Sequence, residues 1–285
     1  MVQRSVRTGR DRPAKSAFWS MLAGIILSSC ALASWDEFGS GDGSVDARDA
    51  GRRDTGASDQ AVLDAGTSDA RADGEGKAPI TVVQTQSVSL DNEPATTVNV
   101  PFLQPQRAGS LVVVAVGWYD DDRDVASVTD TSGNKYVRAV GPTVLPGDAP
   151  IAQSIYYAAG VVAAAANANV VTVKWATQAD SPDVRVVEYA GLDPVAPFDV
   201  GVGSLGTSSA ASSGPVTTRF PNELLFAAAT TQGDFTTGGP SYNVRILSVM
   251  TNLAQDRIVQ EVGSYSADAP LNPAAEWVMQ LATFH

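Results

Sequence analysis

The sequence predicts an all-β protein, an antiparallel two-sheet β-sandwich of jelly-roll-like kind, preceded by a signal segment and a disordered linker. Three observations carry this. Short runs rich in Val, Ile, Thr, Tyr and Phe recur after Pro79, separated by Gly, Pro, Asn and Asp. No convincing amphipathic helix lies between them. Composition changes abruptly near residue 79, from an Asp-, Ala-, Gly- and Ser-rich stretch to these β-type runs. The chain therefore divides into 1–30, a leader; 31–78, an acidic low-complexity tether; and 79–285, a single β-sandwich domain of a size one all-β domain can occupy.

The leader has a basic start, Arg4, Arg7, Arg10, Arg12 and Lys15, and an apolar core from Ala17 to Leu27. That core is shorter than the about 20 apolar residues a spanning helix needs, so it reads as a removable signal. Cys30 follows directly and is the only cysteine, so the exported part has no disulfide. The run Leu27-Ser28-Ser29-Cys30 resembles the lipobox of bacterial lipoproteins, which implies that Cys30 is lipidated and becomes the first residue. Ala31-Leu32-Ala33 offers a competing site for ordinary signal peptidase, with a secreted or periplasmic product. Ala31 follows the cysteine where an aspartate would mark retention, and by resemblance to enterobacterial sorting this implies an outer-membrane location.

In the tether, Asp49, Asp54, Asp59, Asp64 and Asp69 recur every five residues. That period fits neither the helix at 3.6 nor the strand at 2, so the acids line no common face. Weak hydrophobicity leaves too little surface to offset chain entropy. A calcium repeat is the alternative, but the period lacks the apolar position a packed solenoid requires. The segment is similar to the Asp-Ala-Gly-rich linkers of myxobacterial surface lipoproteins.

In the domain, strands are expected at Ile80–Val88, Thr96–Phe102, Ser110–Tyr119, Lys135–Val140, Gln153–Gly160, Asn169–Ala176 and Asp183–Ala190. Five more follow at Val216–Arg219, Glu223–Thr231, Asn243–Met250, Arg257–Ser266 and Glu276–Phe284. Leu111–Val116 and Leu224–Ala229 are apolar throughout, as central strands covered on both faces are. Each opens a comparable strand-and-loop stretch, a weak internal echo. Val171-Thr172-Val173-Lys174-Trp175 alternates, as a strand with one wet face does. Ala158–Ala168 is read as a strand end and turn, and the serine-rich Ser204–Ser213 as a flexible surface loop. Asp130-Thr131-Ser132-Gly133-Asn134 has the acceptors and the glycine of a tight turn between strands.

Gly109-Ser110-Leu111-Val112-Val113, Val128 to Tyr136, Asn169 to Val173 and Val187-Glu188-Tyr189-Ala190-Gly191 occur in the order seen in a group of uncharacterised secreted bacterial β-sandwich domains. The resemblance extends to Trp277–Phe284. It implies a fold and no activity.

Function is narrowed by composition. After Ala78, nine Lys and Arg stand against nineteen Asp and Glu, a net charge of −10, so nucleic acid is not an expected partner. The only histidine is His285, which leaves no histidine–cysteine zinc set and no ready serine–histidine–aspartate arrangement. No Gly-rich loop joins a strand to a helix. Paired carboxylates suffice for glycoside hydrolysis, and Glu188, Glu261 and Glu276 lie on expected strands. Glu188 shares parity with Val184 and Val186, which puts its carboxylate on an apolar face. Hydrogen bonding to backbone or to Arg185 would satisfy it there.

Asp120, Asp121, Asp122 and Asp124, joined by Asp130 if the next turn folds back, form the calcium candidate, since calcium takes hard oxygen ligands. Arg123 replaces one acceptor, and solvated surface charge is the favoured explanation of the loop. Trp118, Tyr119, Tyr157 and Trp175 are the candidate ligand-binding rings, and Tyr156, Tyr189 and Trp277 add further aromatics. Neighbouring rings on a regular strand point to opposite faces, which would leave one of each pair near solvent.

The expected function is a non-catalytic binding or structural domain held at a membrane by a lipid anchor. Its ligand would be an envelope polysaccharide or a surface protein. A carbohydrate-binding module is the first alternative and a carboxylate-based glycoside hydrolase the second.

Overall fold

The computed structural model describes residues 78–285; Cys30, the leader and the tether through residue 77 lie outside the described residues. Fifteen strands and no helix make up the described part. The first eight are β1 (Thr81–Ser89), β2 (Ala95–Pro101), β3 (Leu111–Trp118), β4 (Val125–Asp130), β5 (Val137–Leu145), β6 (Ile151–Ala158), β7 (Val170–Ala179) and β8 (Asp183–Ala190). The remainder are β9 (Phe198–Ser212), β10 (Val216–Thr217), β11 (Glu223–Thr231), β12 (Asn243–Leu247), β13 (Leu253–Val259), β14 (Ser264–Tyr265) and β15 (Asp268–Phe284).

The first eight strands pair as a rolled hairpin does: β1 with β8, β2 with β7 and β3 with β6, all antiparallel. Nested pairing of this kind is jelly-roll order. It generates a central sheet, β1-β8-β3-β6-β5, and a three-stranded sheet, β2-β7-β4. The nesting stops short of β4 with β5, because β5 stays on β6 in the central sheet.

A third layer lies on the other face of the central sheet. It is the C-terminal sheet β12-β13-β11-β15-β9, again antiparallel. The expected sandwich is therefore present with one layer more than two. The reason lies in β3, where Val112, Val114 and Val116 pack toward the three-stranded sheet, while Leu111, Val113 and Ala115 pack toward the C-terminal sheet. A strand apolar on both faces needs two partners. Strand β11 repeats the pattern, with Leu224, Phe226 and Ala228 on the inner face and Leu225, Ala227 and Ala229 on the outer. The two stretches of the internal echo are thus the middle strands of the two five-stranded sheets. Each fully buried valine or leucine there contributes about 1.5–3 kcal/mol.

Three elements differ from expectation. The Ser204–Ser213 loop is the second half of β9, paired along β15 from Phe198↔Phe284 to Ser212↔Asp268. The glycines of β9 answer a packing requirement: within the segment a side chain at Gly206 would bring Cβ to 2.7 Å from the Trp277 ring, and β5 lies directly against the strand just before it. A side chain at Gly201 would bring Cβ to 2.3 Å from Val140, and one at Gly203 to 2.2 Å from the Thr143 hydroxyl. Second, β4 was not among the expected strands; only Val125 and Val128 of its six residues are buried. Third, Arg257–Ser266 is divided between β13 and β14, and β15 begins at Asp268 rather than Glu276.

The seam between the central and C-terminal sheets contains a polar anchor. Arg185, fully buried, forms an ion pair with Asp183 at 2.7 Å. It also donates to the carbonyls of Ala229 (2.9 Å) and Leu253 (2.6 Å), to Gln153 Oε1 and to the Thr230 hydroxyl. Asp183 accepts from Ser89 and Ser248. Gln280 then carries the network to β5, donating to the Gln153 carbonyl and the Thr143 hydroxyl. Burial pushes the Arg185 pKa down, and Asp183 works against that.

Candidate functional site

The sequence-predicted residues are dispersed. In the acidic loop, Asp120 accepts the Asp180 N–H (2.8 Å), Asp121 faces the Gly147 N–H, Asp122 pairs with Arg123 (2.6 Å), and Asp124 takes Arg138 on both oxygens. Burial pushes the Asp120 carboxyl up from its ordinary range. Asp130 does not fold back toward them: it ends β4 and Asp124 precedes its start, roughly 20 Å of strand away. Its oxygens already accept from Asn134 N and Nδ2, the Tyr136 hydroxyl and Asn169 Nδ2, which fixes the expected turn, with Gly133 at φ +77°. Among the described residues no three His, Cys, Asp or Glu side chains converge on one point.

The aromatic candidates mostly lie inside. Trp118 and Trp175 meet edge-on at 6.2 Å between the central and three-stranded sheets. Tyr119 is also buried, and its hydroxyl donates to the Thr231 carbonyl at 2.7 Å. The expectation that one ring of the Trp118-Tyr119 pair faces solvent is therefore corrected: the central sheet is covered on both faces, so opposite directions are both inward. Tyr157 is half-buried, stacked on Phe198 (5.8 Å) and edge-on to Phe284 (5.4 Å).

Glu188 lies where parity placed it, fully buried on the face of β8 shared with Val184 and Val186. Its oxygens accept from the Arg107 backbone N–H and Gln84 Nε2, both at 2.8 Å. Of the two partners expected, backbone is present. Arg185 points into the opposite seam, one residue out of parity.

Two groupings were not foreseen. The first occupies the open side of the seam, between β1 at one sheet edge and β12–β13 at the other. Ile80, Thr81, Val82, Tyr189, Leu224, Arg245, Asp256 and Ile258 line a cleft of about 300 Å³ there. Asp256 Oδ2 accepts from the Tyr189 hydroxyl (2.8 Å) and Arg245 Nε (2.7 Å), while Oδ1, also buried, meets no donor. The hydrogen bond to Asp256 raises the Arg245 pKa, so the guanidinium stays charged. Burial, then the charge of Asp256, pushes the Tyr189 hydroxyl well above its ordinary range. Arg245 reaches this position through a β-bulge: it is the extra residue between Val244, opposite Gln255, and Ile246, opposite Ala254. Bulges re-aim side chains in this way. The only sequence signal was parity, since Tyr189 alternates with Glu188 and so faces this seam.

The second grouping is a carboxyl pair. Asp199 of β9 and Glu223 at the head of β11 lie close enough for each carboxyl to act on the other. Burial works to raise Asp199, but hydrogen bonds from Arg219 outweigh it and hold the carboxyl below its ordinary range. Glu223 is pushed up, first by burial and then by Asp199. Beside them Phe220 stacks on His285 with ring centres 3.8 Å apart. Nothing in sequence spacing pairs residues on β9 and β11.

Comparison with protein-family models, with curated proteins and with solved structures finds no match for this chain.

Proposed function

We propose that this chain is a lipid-anchored surface protein whose β-sandwich domain binds a ligand in the cleft between β1 and β12, without catalysis. The observation that carries the binding reading is the cleft itself: apolar walls close around one charged pair, with a buried carboxylate oxygen left unmatched. Small-molecule sites have this composition, mostly apolar with a few convergent polar groups. The anchoring half rests on Leu27-Ser28-Ser29-Cys30 at the end of the apolar leader and on the polar tether that follows. A lipid on Cys30 would hold the acidic domain at an outer membrane despite its charge.

The experiment is metabolic labelling of the full chain with a tagged fatty acid. The label should enter the exported protein and disappear in Cys30→Ala. Unlabelled mature protein beginning at Ser34 would show that cleavage after Ala33 governs and that the anchor does not exist.

A further inference from the structure

We propose that the β1–β12 cleft is a saccharide subsite, in which adjacent hydroxyls of one neutral sugar unit bridge Asp256 and Arg245. This rests on the binding reading above and names its ligand class. Asp256 Oδ1 is an acceptor without a donor. Arg245 engages Asp256 through Nε, and among the described residues neither of its Nη groups meets an acceptor, on a side chain 29 % exposed. A vicinal diol answers both needs, one hydroxyl donating to the carboxylate and the other accepting from the guanidinium. Because Oδ1 is buried, a hydroxyl reaches it only when the partly exposed Arg245 side chain, held to Asp256 through Nε, moves aside.

Charge narrows the class further. The carboxylate disfavours an anionic ligand, as does a domain carrying nine basic against nineteen acidic residues, and the adjacent guanidinium disfavours a cation. A neutral ligand leaves the ion pair balanced. Ile80, Val82 and Ile258 supply aliphatic walls for the C–H face of a ring, and about 300 Å³ suits a small unit rather than a long chain.

An extended peptide is the competitor, because β1 and β12 are both sheet edges. Both edges, however, are bulged at the cleft, at Val83 in β1 and Arg245 in β12. A bulge interrupts the row of backbone groups that an added strand would need. The same bulge that blocks a strand aims Arg245 at the floor.

The test applies the purified full chain to an array of neutral, acidic and basic oligosaccharides and, in parallel, to an immobilised peptide library. Neutral glycans should be retained, and Asp256→Asn should weaken retention by about ten- to hundredfold, the loss of a hydrogen bond to a charged acceptor. Ile258→Trp, which fills the mouth from an exposed position, should abolish it with an unchanged melting temperature. Lys174→Gln, on the exposed face of β7, should bind as the parent does. Retention of acidic glycans alone, or neutral retention indifferent to both cleft variants, overturns the proposal. Peptide capture that Ile258→Trp abolishes, with no glycan retained, overturns the sugar and leaves the cleft as a binding site. Capture of nothing on either surface defeats both.

Discussion

The seam between the central and C-terminal sheets ends in two unlike edges. At one, β5 and β9 meet so closely that Gly201 and Gly203 leave no space for a side chain beneath Val140 and Thr143, and Gln280 hydrogen-bonds across. At the other, β1 and β12 diverge around the cleft, each bulged, with Ile258 42 % exposed at the mouth. The Arg185–Asp183 anchor lies between the two, satisfied from both sheets. Rigidity at one edge and opening at the other are therefore separable properties. The packed edge sets the spacing of the layers, and the open edge is free to carry recognition.

Breaking the anchor should have the largest effect. Arg185→Met leaves Asp183 buried without its cation, and removal of one partner from a buried pair costs about 3–5 kcal/mol. Chemical denaturation should show that loss, and the further change Asp183→Leu should recover part of it by removing the stranded charge. A single variant within about 0.5 kcal/mol of the parent would mean that the seam does not depend on its middle.

The packed edge should be sensitive to one methyl group and the open edge indifferent. Gly203→Ala drives Cβ into Thr143 and Gln280, and overpacking of this kind costs about 1–3 kcal/mol, roughly 3–10 °C in melting temperature. Thr81→Val at the exposed start of β1 should shift it by no more than about 1–2 °C. Equal responses in thermal melts would erase the distinction between the edges.

This contrast also marks what the sequence made legible. β3, β8 and β11 were readable because their residues are apolar or alternate cleanly, and period is a local property. Glu188 was placed on its face by parity alone. The β9 strand was not readable, because its Gly-Ser composition has low strand preference and the pairing with β15 that overrides it joins segments far apart in the chain. The candidate site failed for a related reason. Clusters conspicuous in sequence, Asp120 to Asp124 and the aromatic pairs, are consumed by local pairing or by a third layer that covers the second face. Tyr189, Arg245 and Asp256 come from three strands and meet only through a bulge, which leaves no spacing to recognise.

The smallest effect belongs to the carboxyl pair at the end of β9, and it is one of sign. Asp199, held below its ordinary 3.8, contributes stability that is present above that value and fades as pH falls through the lowered one. Glu223, raised from 4.5, does the reverse: its contribution is complete below 4.5 and is lost as pH rises through the raised value. Between pH 4 and pH 7 the parent therefore loses the share of Glu223 while keeping that of Asp199. Glu223→Gln does not titrate at either pH. Relative to the parent, the variant should thus gain roughly 1–3 °C in melting temperature on going from pH 4 to pH 7, a modest shift because the Arg219 partner is itself exposed to solvent. A difference that is the same at both pH values would show that the Glu223 carboxyl is not raised there. The packed edge would then owe its closure to shape alone.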